Sequence, residues 1–216
     1  MSETLFGYLR LISSISVLLP LLVAVWNRYR LQRIQKKLGI LLVAIFVVEA
    51  IANVLWYRKE NNLPIYHFYS IVECLLIINL YKDALKDVFS KHFFTILGLT
   101  FTIFAIVNMI FFQALTTFNS NVTTVLGFLV IFLCLCYFYA LLKEETYSPL
   151  EKKPMFWINA GFLIYFSSNL ILFFINNSMF TKADAVSYLV WGLHAVVNII
   201  LILFFTIAIW IHPNRR

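Results

Sequence analysis

Apolar residues in this chain come in seven long runs, each interrupted only by isolated polar side chains and separated from the next by a short polar segment. The runs cover about residues 7–26, 38–57, 65–81, 93–113, 122–142, 155–176 and 185–211. An α-helix needs about 20 apolar residues to cross the hydrocarbon layer, and each run is close to that length. The pattern predicts an all-α integral membrane protein, a single bundle of seven transmembrane helices spanning 1–216. Pro20 falls in the inner third of the first run, and Asn62-Leu63-Pro64 between the second and third favours a tight reversal.

Composition excludes the soluble alternative. The hydrophobic fraction is 62% and the charged fraction 12%, so too few polar side chains exist to cover the apolar surface in water. Met1-Ser2-Glu3-Thr4 carries an acid where a signal peptide has basic residues, and no small-residue cleavage pattern follows Trp26, so the first span is expected to be retained. The net charge of +7 does not imply nucleic acid, because the basic residues sit in short connectors between spans.

Those connectors predict the orientation. With the amino terminus outside and the carboxyl terminus cytoplasmic, 13 of the 17 Lys and Arg residues fall on the cytoplasmic side. The other four are Arg10, Arg58, Lys59 and Lys182. Trp26, Trp157 and Trp210 are expected as anchors at the inner interface, and Trp56, Tyr57 and Tyr66 at the outer one. A cell (bacterial inner) membrane is the expected location.

Candidate chemistry lies in the polar residues at membrane depth, since an ionisable side chain at mid-span costs about 2.5–3.5 kcal/mol or more. Glu49 and Asn53 are four apart on the second span; Tyr66, Tyr69 and Glu73 step by three and four along the third. Tyr165, Asn169 and Asn176 lie on one side of the sixth, and Ser187, Trp191, His194 and Asn198 on one side of the seventh. Lipid does not tolerate such stripes, so they are expected to face one another around a polar cavity open to the outside, above an inner plug of Leu, Ile, Phe and Val. Asn and Ser stripes also serve as interhelical hydrogen-bond links. Glu49, Asn53, Tyr69, Glu73, Asn169, Trp191, His194 and Asn198 are the candidate ligand-binding or proton-linked residues. Arg10 is placed to reach the rim and pair with an acid. Cys74, Cys134 and Cys136 read as small apolar filler.

A weak internal repeat aligns Asn53 with Asn169 and Glu73 with His194. It suits two parallel three-helix units joined by the fourth span, a plan used by transporters. Resemblance to known seven-helix families stops at topology: the last span has no lysine for retinal, and the chain has no Pro-Gln pair. No catalytic residue, metal site or cofactor is assigned. The leading expectation is a non-enzymatic binding or sensor module that takes a small molecule from the outer side. It would signal through a protein partner at the cytoplasmic connectors or through a second copy of the chain. A small-solute or proton-coupled transporter, a non-catalytic subunit of a membrane complex and an intramembrane lipid enzyme are the alternatives.

Overall fold

Residues 1–144, 149–179 and 185–211 are described by a computed structural model, so Lys182 and the terminal Arg215 and Arg216 of the orientation count lie outside the described residues. The described residues form eight α-helices in order: α1 (Glu3–Ser16), α2 (Leu18–Trp26), α3 (Arg33–Tyr57), α4 (Leu63–Ala84), α5 (Lys91–Phe111), α6 (Ser120–Leu142), α7 (Pro154–Met179) and α8 (Ala185–Trp210). Among the described residues there is no strand. Seven helical stretches, with α1 and α2 counted together, are long and apolar enough to cross a membrane. The chain therefore has the build of a multi-pass membrane protein.

Local chemistry explains the boundaries. The expected first span is broken at Val17 because Pro20 has no N–H to give to the Ser16 carbonyl and its ring crowds that carbonyl. Ser2 and Ser90 cap α1 and α5, their hydroxyls accepting from the backbone N–H of Leu5 and Phe93. Pro64 sits in the first turn of α4, where a missing N–H is harmless. Lys59 closes α3 with φ +58°, a left-handed residue that turns the chain directly into α4.

Packing arranges the helices in a ring. The α1–α2 segment packs on α8, α8 on α7, α7 on α6, α6 on α4, α4 on α3, and α3 returns to α2. Helix α5 stays outside, against α4 and α6. Its outward face presents Ile96, Leu99, Ile103 and Ile110, each at least 59% exposed, which is the surface expected to meet lipid tails. Close approach inside the ring uses small residues: a Cβ on Gly161 of α7 would stand 2.9 Å from the Phe204 Cβ of α8.

The two ends of the ring differ. One end gathers the amino terminus, the α3–α4 connector and the α5–α6 connector, and is called the mouth end. The other, the basic end, gathers the Arg28–Lys37 segment and the charged connectors after α4 and α6. Here the bundle is closed. Leu38, Leu42, Ile77, Leu80, Tyr81, Ile158, Phe205 and Ile209 are fully buried in one layer.

That layer is not purely apolar, contrary to the expected plug. The Tyr81 hydroxyl donates to Asn159 Oδ1 at 2.6 Å and lies 3.0 Å from Cys134 Sγ, which joins α4, α7 and α6. Cys134 is thus part of a polar contact rather than filler alone. Gln35, placed by the sequence in a connector, is fully buried in the first turn of α3. Its Nε2 donates to the carbonyls of Ala208, Ile209 and Ile211 at 2.9, 3.3 and 2.8 Å, groups that the end of α8 leaves without helical partners. Its Oε1 accepts from the Gln32 N–H, so one side chain caps two helix ends. Asp83 of α4 binds Arg33 and Lys37 of α3 at 2.9 and 2.7 Å.

Candidate functional site

The ring encloses a cavity of about 910 Å³ that runs from the mouth end past mid-bundle. Every spanning helix except α5 contributes to its wall. Counting 1.5 Å per residue from the mouth ends of their helices, Arg10 stands about 10 Å down, Glu49 about 12 Å, His194 about 14 Å and Glu73 about 15 Å. The four therefore share one stratum. Glu49, Glu73 and His194 each retain accessible surface at this depth because they border the cavity.

Of the eight residues expected at the site, Glu49, Tyr69, Glu73, Trp191, His194 and Asn198 line this one cavity. Asn53 and Asn169 stand behind the wall and hold it. Asn53 accepts from Arg10 at 2.9 Å and donates to the Ser14 hydroxyl at 2.7 Å, which ties α3 to α1. Asn169 Oδ1 lies 2.9 Å from His194 Nδ1, fixing the imidazole from α7. Asn198 does both: it borders the cavity and donates to the Ser13 hydroxyl of α1 at 2.8 Å. The asparagines are thus interhelical links as well as polar surface.

Charge is unevenly distributed around the stratum. The Arg10 guanidinium stacks 4.2 Å from the Trp56 ring centroid and acts electrostatically on the Glu49 carboxyl. The Tyr66 hydroxyl makes a long contact of 3.5 Å to Glu49 Oε1. Tyr66 therefore faces the cavity rather than serving only as an interfacial anchor. Glu73 has no basic side chain bonded to it among the described residues; the Tyr69 hydroxyl is its close polar neighbour. His194 is surrounded by rings, with Trp191, Tyr165 and Phe173 centroids 5.1, 5.7 and 5.9 Å away. No bond joins His194 to either glutamate among the described residues.

A second contribution went unread in the sequence. The uncharged α5–α6 connector folds over the mouth and is stitched to α4 and α7. His67 Nε2 meets the Thr117 carbonyl at 2.9 Å, Asn119 Nδ2 donates to the Ser70 hydroxyl at 2.7 Å, and Asn177 Nδ2 donates to the Phe118 carbonyl at 2.6 Å. These bonds hold the Phe118 ring against Trp191 and Phe173, at 5.6 and 6.2 Å between centroids. The only sequence signal for this was a cluster of Thr and Asn residues in a loop without charge.

Among the described residues no three His, Cys, Asp or Glu side chains come together as a metal would require. Comparison with family models, with curated proteins and with solved structures finds no match to this chain. Its function has to be argued from the cavity itself.

Proposed function

We propose that the protein is a membrane-embedded binding module that admits a small molecule through the mouth end and holds it at the Glu49–Glu73–His194 stratum. One observation carries the reading: side chains from six of the seven spans, among them the ionisable Arg10, Glu49, Glu73 and His194 at membrane depth, border a single cavity of about 910 Å³. That volume is in the range of small-ligand pockets, and the lining combines aromatic rings with a few polar groups, the usual make-up of such sites. Groups as costly to keep in hydrocarbon as Glu49 and Glu73 are retained where a ligand or water meets them.

Orientation follows from charge. The mouth end carries few Lys and Arg residues and the closed end carries most of them, which suits a mouth facing outward and a closed end facing the cytoplasm of a bacterial inner membrane. In this reading, ligand contact with Trp191, His194 and Phe118 shifts α8 relative to α3. The Gln35 cap at the other end of α8 passes that shift to the cytoplasmic connectors, where a partner protein or second copy of the chain reads it.

A cysteine at Ser13, on the cavity wall, tests this reading with a charged thiol reagent that does not cross membranes. The wild type, whose three cysteines are not among the residues lining the cavity, serves as the blank. Right-side-out vesicles should label and inside-out vesicles should not. Protection from both sides would remove the cavity as an entry route.

A second reading, a transporter, is favoured by the ring order. It places the first three spans together, the last three together and the fourth outside, as two parallel three-helix units would sit. In that case the Gln35 and Asp83 contacts act as an inner gate, and Ser13 labels from either side.

A further inference from the structure

Several donors of the cavity wall are already engaged, while two of its amide oxygens have no partner among the described residues. On the donor side, Arg10 is committed to Asn53 and Trp56, Asn198 Nδ2 to Ser13, and His194 Nδ1 to Asn169. On the acceptor side, Asn119 Oδ1 and Asn176 Oδ1 are buried without a hydrogen-bond partner among the described residues. The two residues border the cavity and are 1% and 8% exposed. The orientation of the Asn119 amide is fixed, because its Nδ2 is within 3.3 Å of the Tyr66 carbonyl, which can only accept.

Glu73 adds a carboxyl to this set. Arg10 acts electrostatically on the Glu49 carboxyl, whereas among the described residues Glu73 has a tyrosine hydroxyl and no bonded basic side chain beside it. A carboxylate in such a wall needs a positive partner. Its neighbours are aromatic: Tyr69 and Tyr165 are near enough for the Glu73 charge to act on their hydroxyls. A carboxylate in a cavity lined by aromatic side chains is a combination that recognises ammonium groups. Ser70, bonded to Asn119, lies about one helical turn from Glu73 toward the mouth, so the open acceptors form two levels.

We propose that the ligand of this cavity is an organic amine, its ammonium paired with Glu73 and its further N–H or O–H donors directed to Asn119 and Asn176. The assignment rests on the binding-module reading above and adds the chemical class of ligand. A carboxylate or phosphate ligand would meet two acids and two unpartnered amide oxygens, with the wall's guanidinium, Arg10, already bonded to Asn53. An uncharged one would leave Glu73 without a counter-charge.

The full-length protein in phosphatidylcholine nanodiscs is titrated with 2-phenylethylamine, 2-phenylethanol and phenylacetate, read through the emission of the wall tryptophans Trp56 and Trp191. The amine should quench saturably and bind at least ten times more tightly than the alcohol or the acid. Glu73→Gln should abolish that preference, and Glu60→Gln, an exposed acid outside the cavity lining, should keep it. Equal binding of alcohol and amine, tightest binding of the acid, or an unchanged preference in Glu73→Gln overturns the amine assignment and leaves a binding cavity in place. Silence of all three probes also overturns it, and the Ser13 labelling then reports separately on whether the cavity is an entry route.

Discussion

Gln35 is the residue whose loss should be felt most strongly at the closed end. Replacing it with Leu removes the donor to Ala208, Ile209 and Ile211 while keeping volume and apolar contact. The Ile211 carbonyl is half-exposed at the bundle end and can turn to water. Those of Ala208 and Ile209 belong to fully buried residues and cannot. A buried polar group left without its partner costs about 1–3 kcal/mol, so two such carbonyls cost roughly 2–6 kcal/mol. The apolar gain from burying Leu in place of Gln offsets about 1 kcal/mol of this. A net destabilisation of roughly 1–5 kcal/mol is expected. Unfolding in mixed micelles with increasing dodecyl sulfate, followed by tryptophan emission, measures it, with Lys36→Ala on the exposed side of the same turn as the control within about 0.5 kcal/mol. A Gln35→Leu protein indistinguishable from the control would refute the claim that this side chain joins α3 to α8.

Tyr81→Phe should destabilise by about 1–3 kcal/mol in the same assay by stranding Asn159 Oδ1, and the double variant with Asn159→Leu should cost less than the two single changes together. Gly161→Val should lose about 1–3 kcal/mol through overpacking against Phe204. Gly39→Ala, where nothing lies within 4 Å of the new methyl, should be neutral or gain up to about 1 kcal/mol. Phe118→Ala removes the ring over the mouth, and stopped-flow mixing with 2-phenylethylamine should show faster association without loss of the amine preference.

Span number and the polar stripes were legible because both depend on local spacing. A run of about 20 apolar residues has few structural options, and residues three or four apart must share a helix face whatever surrounds them. Glu49, Glu73 and His194 were recognisable for the same reason. What stayed hidden depends on partners far away in the chain. Gln35 looked like part of a solvated basic connector, since its acceptors lie more than 170 residues later. Cys134 looked like apolar filler until Tyr81 and Asn159 met it from two other helices. Asn53 and Asn169 were read as ligand contacts because a stripe fixes a face but not how far around it a side chain points. The mouth connector carried too little pattern to be read as a cover.

The ring also gives a physical reason for the placement of the polar residues. Each acid or imidazole at membrane depth sits on a face that the neighbouring helices turn away from lipid, and α5, which has no such residue, is the span left outside.

The central claim, that water and solutes reach the Glu73–His194 stratum through a cavity rather than meeting a packed core, is tested most directly on α8. A nitroxide at position 194 borders the cavity, and one at the adjacent Leu193, which is 58% exposed on the outer surface, faces lipid at the same depth. In membranes, a label at 194 should collide more often with a water-soluble nickel chelate than with oxygen, and a label at 193 should do the reverse. Oxygen-dominated collisions at both positions would contradict the account.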